Sequence, residues 1–503
     1  MTSSSRHGRF DGLHIFEMAN NHQGSVEHGL RIIEAAARLA HEHGVRAAVK
    51  FQFRELDSFI HPDARGRGDI QHIPRFESTR LDEGQFRRLV EATRSAGLVT
   101  VATPFDEPSV GLCQALGVEI IKVASCSATD WPLLEEIAAA GKPVIASTGG
   151  LAMAEIDNLV TFLHKRVPAL AIMHCVSLYP TPPERHALNF MARMVRRYPY
   201  VDIGYSGHEA PANTDVVMVA VAKGARLLER HFGVATDEIS LNRYSMDPEQ
   251  AGRWLAAAQR ARAIAGADDE KHVGQAERES LLQLQRGVFA RRAIARGEVI
   301  QAEDVFFAMP CREGQLASGP FGQYRARFVA SRDYAENEAV FEQAREDPYT
   351  ALRGILHDAR GLLYEAGIAL GDDISIEVSH HYGLDRFRET GCVLINSINR
   401  EYCNKFLIMM PGQSHPHHKH RLKEETFHML WGDLEVDLEG NVIQLRPGDK
   451  LLIERDQMHA FHSRQGCIFA EISTRSIRSD SYYADETIAR MDPLERKTLV
   501  DGW

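Results

Sequence analysis

Four side chains in the last quarter of the chain, His418, His420, Glu425 and His459, have the types and the spacing with which a small β-barrel holds one metal ion. The first three form the pattern His-x-His-x-x-x-x-Glu between Gly412 and Gly432, and the fourth follows Pro447-Gly448-Asp449. Three imidazoles and one carboxylate suit manganese, iron, nickel or zinc, and leave positions open for water or a substrate. His415 and His417 fall outside this spacing and are expected in a loop.

A second set of chemistry-bearing residues stands at the ends of short apolar runs earlier in the chain. Glu17, Asn20, Asn21 and His22 end the first run, followed in order by Lys50 and Gln52, Thr103 and Asp106, and Lys122 and Ser125. Ser147 and Thr148, Ser177 and Tyr179, Ser206 and His208, and Glu229 and His231 end the remaining four. Lys50 and Lys122 interrupt otherwise apolar stretches. Burying a lysine without an anionic partner is costly, so an anionic ligand is expected beside them. His208 and His231, at neighbouring run ends beside Glu229, are the expected ligands of a second divalent metal.

The elements that must position these groups follow from the runs themselves, which span 13–21, 47–52, 99–105, 119–125, 143–148, 170–177, 201–207 and 226–232. Each is apolar throughout rather than alternating, which implies burial on both faces, as in a parallel sheet. Amphipathic segments such as 29–44 and 83–97 separate them. Eight strand–helix units predict an α/β architecture, a closed (β/α)8 TIM barrel whose active site lies at the C-terminal strand ends. A doubly wound open sheet is the alternative, less well supported because no GxGxxG turn is present. The barrel is placed at 1–275, a small β-rich domain at 285–343, a helical linker at 344–371 and an all-β domain at 372–485.

Composition bounds the partners. At 503 residues, with 44% hydrophobic and 25% charged content, the chain reads as a soluble protein of several domains. No apolar run is long enough to span a bilayer, and MTSSSRHGRFDG lacks the apolar stretch of a secretory leader, so no membrane partner and a cytoplasmic location are expected. Seven scattered cysteines without a CxxC pair fit a reducing compartment. A net charge of −11 argues against a nucleic-acid partner and requires local cations wherever a small anion binds.

Taken in order, the run ends match the motifs of a known family. Glu17-x-x-Asn20-Asn21-His22-x-Gly24-Ser25, Lys50-Phe51-Gln52, Thr103-Pro104-Phe105-Asp106 and Lys122-Val123-Ala124-Ser125 resemble those of the sialic acid (N-acetylneuraminate) synthases. So do Ser147-Thr148-Gly149-Gly150, His174-Cys175-x-Ser177-x-Tyr179-Pro180-Thr181-Pro182, Gly204-Tyr205-Ser206-Gly207-His208 and Glu229-Arg230-His231-Phe232. The resemblance covers roughly the first two-thirds of the chain and identifies the β-rich piece as an antifreeze-like (SAF) domain.

The resemblance implies that phosphoenolpyruvate condenses with an aldose, N-acetylmannosamine or a related sugar, giving a sialic-acid-like nonulosonic or other higher-carbon sugar acid plus phosphate. Lys50, Thr103, Lys122, Ser125, Ser147, Ser177, Tyr179 and Ser206 would cradle the phosphoenolpyruvate, with Asn20 and Gln52 also contacting substrate. Glu17 would orient the sugar and handle a proton. His208 and His231 would hold manganese or magnesium to polarise the sugar's aldehyde, which C3 of phosphoenolpyruvate attacks. A homodimer is also implied, the SAF domain of one chain capping the barrel of the other.

Three departures lie on the sugar side. Leu241-Asn242-Arg243-Tyr244-Ser245 stands where the family carries an Asp-His pair ahead of a serine, and Ser177 replaces an asparagine. Ala308-Met309-Pro310-Cys311-Arg312 replaces a Lys-Arg-Pro run whose arginine reaches the partner's sugar, with Arg312 as the expected substitute. An acceptor other than that of sialic acid is therefore equally well supported.

The C-terminal ligand pattern resembles the two motifs of the cupins, with Glu454 and Asp456 in place of the second motif's proline and glycine. The run KFLIMMPGQSHPHHKHRLKEETFHMLWGDLEV is most similar to sugar-handling cupins of the lyxose-isomerase type. This implies a module that binds or isomerises a sugar. A metal-stabilised dimerisation module is one alternative, and a metal-dependent cupin isomerase or epimerase attached to a non-catalytic barrel is another.

Overall fold

The computed structural model describes residues 8–266, 271–322, 327–343, 348–371, 373–477 and 479–501. The eight apolar runs become β1 (His14–Glu17), β2 (Ala47–Phe53), β3 (Val99–Pro104), β4 (Ile120–Val123), β5 (Val144–Ser147), β6 (Leu170–Cys175), β7 (Asp202–Gly207) and β8 (Leu228–His231). They pair in sequence order and in parallel, and β1 closes the ring against β8. The open-sheet alternative is thereby excluded. The first strand is shorter than its run, so Asn20, Asn21 and His22 lie in the turn beyond it.

Strand alternation explains how one sequence makes both a floor and a site. Ile15, Ala48, Val101, Ile120, Ile145, Ala171 and Leu227 pack together as an apolar plug. Successive side chains on a strand point to opposite faces, so positions two residues further on share the plug's face. Those positions are Glu17, Lys50, Thr103, Lys122, Ser147, Met173 and Glu229. The intervening residues, among them Phe16, Val49, Ile121 and Ala146, belong to the separate core beneath the helices. Register brings the polar layer level, with Glu17 paired to Lys50 on one side and to His231 on the other.

Helix caps fix the loops at the strand ends. Ser25 caps the helix Val26–Glu42, and Asp82 with Gln85 forms a reciprocal box at the start of Glu83–Ser95. Asp106 caps Glu107–Ala115, accepting the Ser109 N–H at 2.8 Å, and its second oxygen accepts the Glu55 N–H at 2.8 Å. This strand-end carboxylate is thus a structural anchor.

The second unit begins at Lys271. In it β9 (Gly287–Ala290) pairs with β11 (Val305–Ala308), and β10 (Val299–Ile300) with β12 (Phe328–Val329), around Val288, Ile294, Val305 and Phe328. Further on are β13 (Ser375–Ser379), β14 (Cys392–Asn399), β15 (Tyr402–Met409), β16 (Ser414–Lys419), β17 (Glu425–Gly432) and β18 (Leu434–Leu438). They are followed by β19 (Asn441–Leu445), β20 (Lys450–Ile453), β21 (His459–His462), β22 (Cys467–Thr474), β23 (Tyr482–Tyr483) and β24 (Lys497–Val500). They form a seven-stranded sheet, β20-β17-β22-β15-β14-β13-β24, and a five-stranded sheet, β19-β18-β21-β16-β23.

Two expectations change here. The helix Pro348–Glu365, read as a linker, buries Ile355, Leu356, Ala359 and Leu363 against Ile376, Val393, Ile395 and Ile408 of the larger sheet. It is an integral layer of the domain. The all-β domain, expected to end at 485, also runs further, since β24 adds to the edge of β13 with Val500 opposite Ile376. No helix among the described residues is long and apolar enough to cross a membrane.

Candidate active site and candidate metal centre

The barrel mouth opens on a cavity of about 820 Å3. Glu17, Asn20, Lys50, Gln52, Thr103, Lys122, Ser125, Ser147, Ser177, Tyr179, Ser206, His208 and His231 all line it. Arg312 belongs to the other unit, where its side chain is exposed and its backbone N–H is held by Gln315 Oε1.

Glu229 is the hub of the cavity floor. Its carboxylate accepts from Lys50 Nζ at 2.7 Å, from Lys122 Nζ at 3.0 and 2.9 Å, and from Ser206 Oγ at 3.0 Å. Glu17 closes on Lys50 from the other side while accepting the Ala19 N–H at 2.7 Å. Burial alone would raise the Glu229 carboxyl, but the two ammoniums outweigh it and hold the group well below the usual range. Burial pushes Lys50 down to about 7, against the attraction of Glu229. An ammonium has three donors, so both lysines keep hydrogens for a ligand above the floor. Thr103 Oγ1 is likewise buried without a partner.

A patch of hydroxyls adjoins this floor. Gly149 N–H donates to Ser125 Oγ at 2.9 Å, and a Cβ at Gly149 would stand only 2.2 Å from Ser177 Oγ and 2.8 Å from Ser125 Oγ. A glycine is therefore required for the two hydroxyls to converge, its amide fixing Ser125, an arrangement suited to a small oxyanion.

His208 and His231 face one another with ring centroids 5.4 Å apart. The His208 Nδ1–H donates to the Val176 carbonyl at 3.1 Å, which leaves Nε2 with its lone pair. His231 Nδ1 is buried without a partner. Burial holds His208 down at about 4 and His231 well below its ordinary value, so both rings are neutral, the form that binds metals. These two residues fit a divalent ion.

The second cluster is in the cupin-like sandwich. His418 on β16, Glu425 on β17, His459 on β21 and His420 in the turn after β16 place one ligand atom each within 4.8 Å of the others. All are buried. Each imidazole uses Nδ1 on a backbone carbonyl: His418 on Pro416 at 3.0 Å, His459 on Gln457 at 3.1 Å and His420 on Asp480. Their Nε2 atoms are left as lone-pair donors directed at a common point. His459 Nε2 lies 3.0 Å from Glu425 Oε1, two buried acceptors face to face, a contact that a cation between them resolves. The residues fit a divalent metal.

This centre opens on a cavity of about 300 Å3 whose polar lining includes Glu377, Lys405, Lys423, Glu471, Tyr483 and Arg496. Lys423 bridges Glu425 and Glu471, 2.8 Å from the latter. His415, expected in a loop, lies instead on β16, buried and stacked 4.4 Å from Phe461 beside His418. His417 is also on β16, exposed and paired with Asp437 at 3.0 Å. Asp456, where the second motif has glycine, adopts a φ of +64°, supplying the left-handed turn that glycine normally provides.

Sequence reasoning missed Glu229 as the lysines' anchor, Arg54, Arg75 and Tyr244 in the cavity wall, and Asp480 behind His420. Only Glu229 left a signal, as a carboxylate inside an apolar run.

The sequence and the fold both have relatives. The NeuB family profile matches residues 33–270, and a cupin domain profile matches 405–469. A protein of Chromobacterium violaceum named for spore coat polysaccharide biosynthesis has a crystal structure 46% identical, covering 66% of this chain and 98% of that one, with a TM-score of 0.64. An uncharacterised protein of Methanocaldococcus jannaschii is 30% identical over 59% of this chain and 85% of its own. The N,N'-diacetyllegionaminic acid synthase of Campylobacter jejuni is 25% identical over 66% of this chain and 99% of its own. With the closed barrel and its ordered strand-end motifs, these matches show that the chain belongs to the NeuB family, with a cupin domain following the barrel and the small β-rich piece in sequence.

Proposed function

We propose that the barrel condenses phosphoenolpyruvate with an aldose, an N-acyl amino sugar such as N-acetylmannosamine or a related sugar, to give a sialic-acid-like nonulosonic or other higher-carbon sugar acid and phosphate. The observation that carries this reading is the pair of buried ammoniums, Lys50 and Lys122, converging with Ser206 on Glu229 beneath an open cavity.

Lys50, Lys122 and Thr103 offer donors to the carboxylate and phosphate of phosphoenolpyruvate, while Ser125, Ser147 and Ser177 beside Gly149 offer a hydroxyl cradle. Fixing both anionic ends sets the enol carbon C3 against the acceptor's aldehyde carbon. The bond forms between those carbons, water adds at C2, and the C2–O bond to phosphate breaks. Lys50 and Lys122 meet the charge gathering on the departing phosphate. Glu17 accepts a hydroxyl hydrogen from the acceptor and positions it. His208 and His231 hold manganese or magnesium, which when bound polarises the aldehyde.

His418, His420, Glu425 and His459 hold a second divalent metal, and the polar cavity beside them accommodates a sugar or sugar acid. The protein acts on small molecules as a homodimer in the cytoplasm.

The test is phosphate release from phosphoenolpyruvate with candidate aldoses and manganese. Lys122→Met should abolish release while leaving the cupin metal in place. Undiminished turnover in that variant contradicts the reading and favours a cupin isomerase with an inactive barrel.

A further inference from the structure

The barrel cavity carries more positive charge than the chemistry at its floor uses. Its wall contains Lys50, Arg54, Arg75 and Lys122 against two carboxylates, Glu17 and Glu229. Both carboxylates are engaged by the lysines. Among the described residues Arg54 donates only to the amide oxygen of Gln52, at 3.0 Å, and its Nε is buried without a partner. Asp106, whose charge reaches Arg54, has both oxygens committed to backbone N–H groups. Arg75 holds the Asn20 carbonyl at 2.9 Å and Gln23 Oε1 at 2.6 Å, both neutral acceptors.

The setting of Arg54 is that of a receptor. Its guanidinium carbon lies 3.6 Å from the ring centroid of Phe105 and 4.2 Å from that of Phe76. Aromatic faces fix the plane of the guanidinium and leave its edge donors for a bidentate oxyanion. Burial lowers Arg54 to about 10, so it remains a cation at neutral pH.

Position separates this cation from the floor. Arg54 follows the last residue of β2, four residues beyond Lys50 toward the mouth, which at about 3.3 Å per residue is on the order of 13 Å along the strand. Asn242 also lines the cavity, in the segment where the resembling family carries an Asp-His pair, so this segment adds no carboxylate there. Its Oδ1 is turned onto the Tyr244 and Ser245 N–H groups at 3.1 and 2.8 Å.

Resting on the synthase reading above, we propose that Arg54, supported by Arg75, recognises an anionic group at the end of the acceptor remote from its aldehyde. The acceptor is then an aldose bearing a phosphate or a carboxylate. Its aldehyde sits over His208 and His231 and its anion at the mouth.

The experiment compares three acceptors on the full-length protein with manganese: a neutral N-acyl hexosamine, the same sugar carrying a terminal phosphate, and a hexuronate. Phosphate release is followed, and phosphoenolpyruvate binding is measured separately by calorimetry. Wild type should prefer one of the anionic sugars by roughly 10-fold or more in kcat/KM, the phosphate and carboxylate arms telling which group is read. Arg54→Gln should raise KM for that sugar by roughly 10- to 100-fold with phosphoenolpyruvate affinity unchanged. Arg54→Lys should recover only part of the loss, and Arg75→Gln, at an exposed position, should reproduce it more weakly.

Phosphoenolpyruvate bound but turned over only with the neutral sugar, or with none of the three, overturns the proposal. So does an Arg54→Gln defect that falls on phosphoenolpyruvate instead of the sugar. Failure to bind phosphoenolpyruvate at all strikes the synthase reading itself.

Discussion

Lys122 and Glu229, 107 residues apart in sequence, meet as a buried pair at the centre of the barrel, the ammonium donating to both carboxylate oxygens at 3.0 and 2.9 Å. Lys50, 179 residues from Glu229, joins the same carboxylate. Two buried ammoniums thus share one acid while Glu17 supports Lys50 from the far side.

Glu229→Gln removes the charge common to both lysines. Breaking a buried ion pair from one side costs about 3–5 kcal/mol, because the remaining charge is left desolvated. Thermal or denaturant unfolding should register a loss of that order, and phosphate release should vanish. Unchanged stability contradicts the hub.

Gly149→Ala tests the hydroxyl cradle. The added Cβ would intrude within 2.2 Å of Ser177 Oγ, displacing it and Ser125 together. KM for phosphoenolpyruvate should rise by roughly 10-fold or more, with little change in KM for the acceptor. Equal effects on the two substrates would place the cradle elsewhere.

Asp480 tests the metal centre from behind. Its carboxylate accepts the N–H groups of Arg421, Leu422 and Lys423, and its carbonyl holds His420. Asp480→Ala should weaken metal binding by roughly 10- to 100-fold, as loss of supporting contacts does. His418→Ala should remove one metal ion per chain while phosphate release by the barrel survives. Metal content by elemental analysis reads both outcomes, and an unchanged content in the second variant refutes the ligand set.

Acid should unfold the barrel earlier than its carboxylates alone require. Burial lowers His14 and His22 to about 4 from an ordinary 6.5, with Arg262 and Arg75 contributing respectively. Above pH 6.5 neither state holds the proton and stability is unaffected. Between 6.5 and 4 the unfolded chain binds protons that the folded chain refuses, so stability falls as pH falls, by up to about 3 kcal/mol for each ring. Melting curves from pH 8 to pH 4 check this, and His14→Phe should flatten the acid limb.

The barrel was legible in the sequence because burial on both strand faces leaves continuous apolar runs, and a lysine inside such a run stands out. Lys50 and Lys122 were therefore visible, yet nothing local says which carboxylate they meet. Glu229 emerges only when β8 closes against β1 and β7. His415 was misread for a related reason. Strict alternation would put His415 and His418 on opposite faces, but β16 shifts register between them against β21, and both turn inward. Asp456 shows the reverse, a missing glycine whose backbone angle survives in another residue able to adopt it. Arg54 carried no one-dimensional mark at all, since arginines at strand ends are usually solvated and only Phe76 and Phe105 make this one a wall.

The most direct test of the whole account is a crystal soaked with phosphoenolpyruvate and manganese. Density for the three-carbon anion should lie between Lys50 and Lys122, its phosphate against Ser125 and Ser177, with a metal peak joining His208 to His231. A floor on which Glu17 and Glu229 keep the two lysines to themselves, with no ligand density above them, would contradict it.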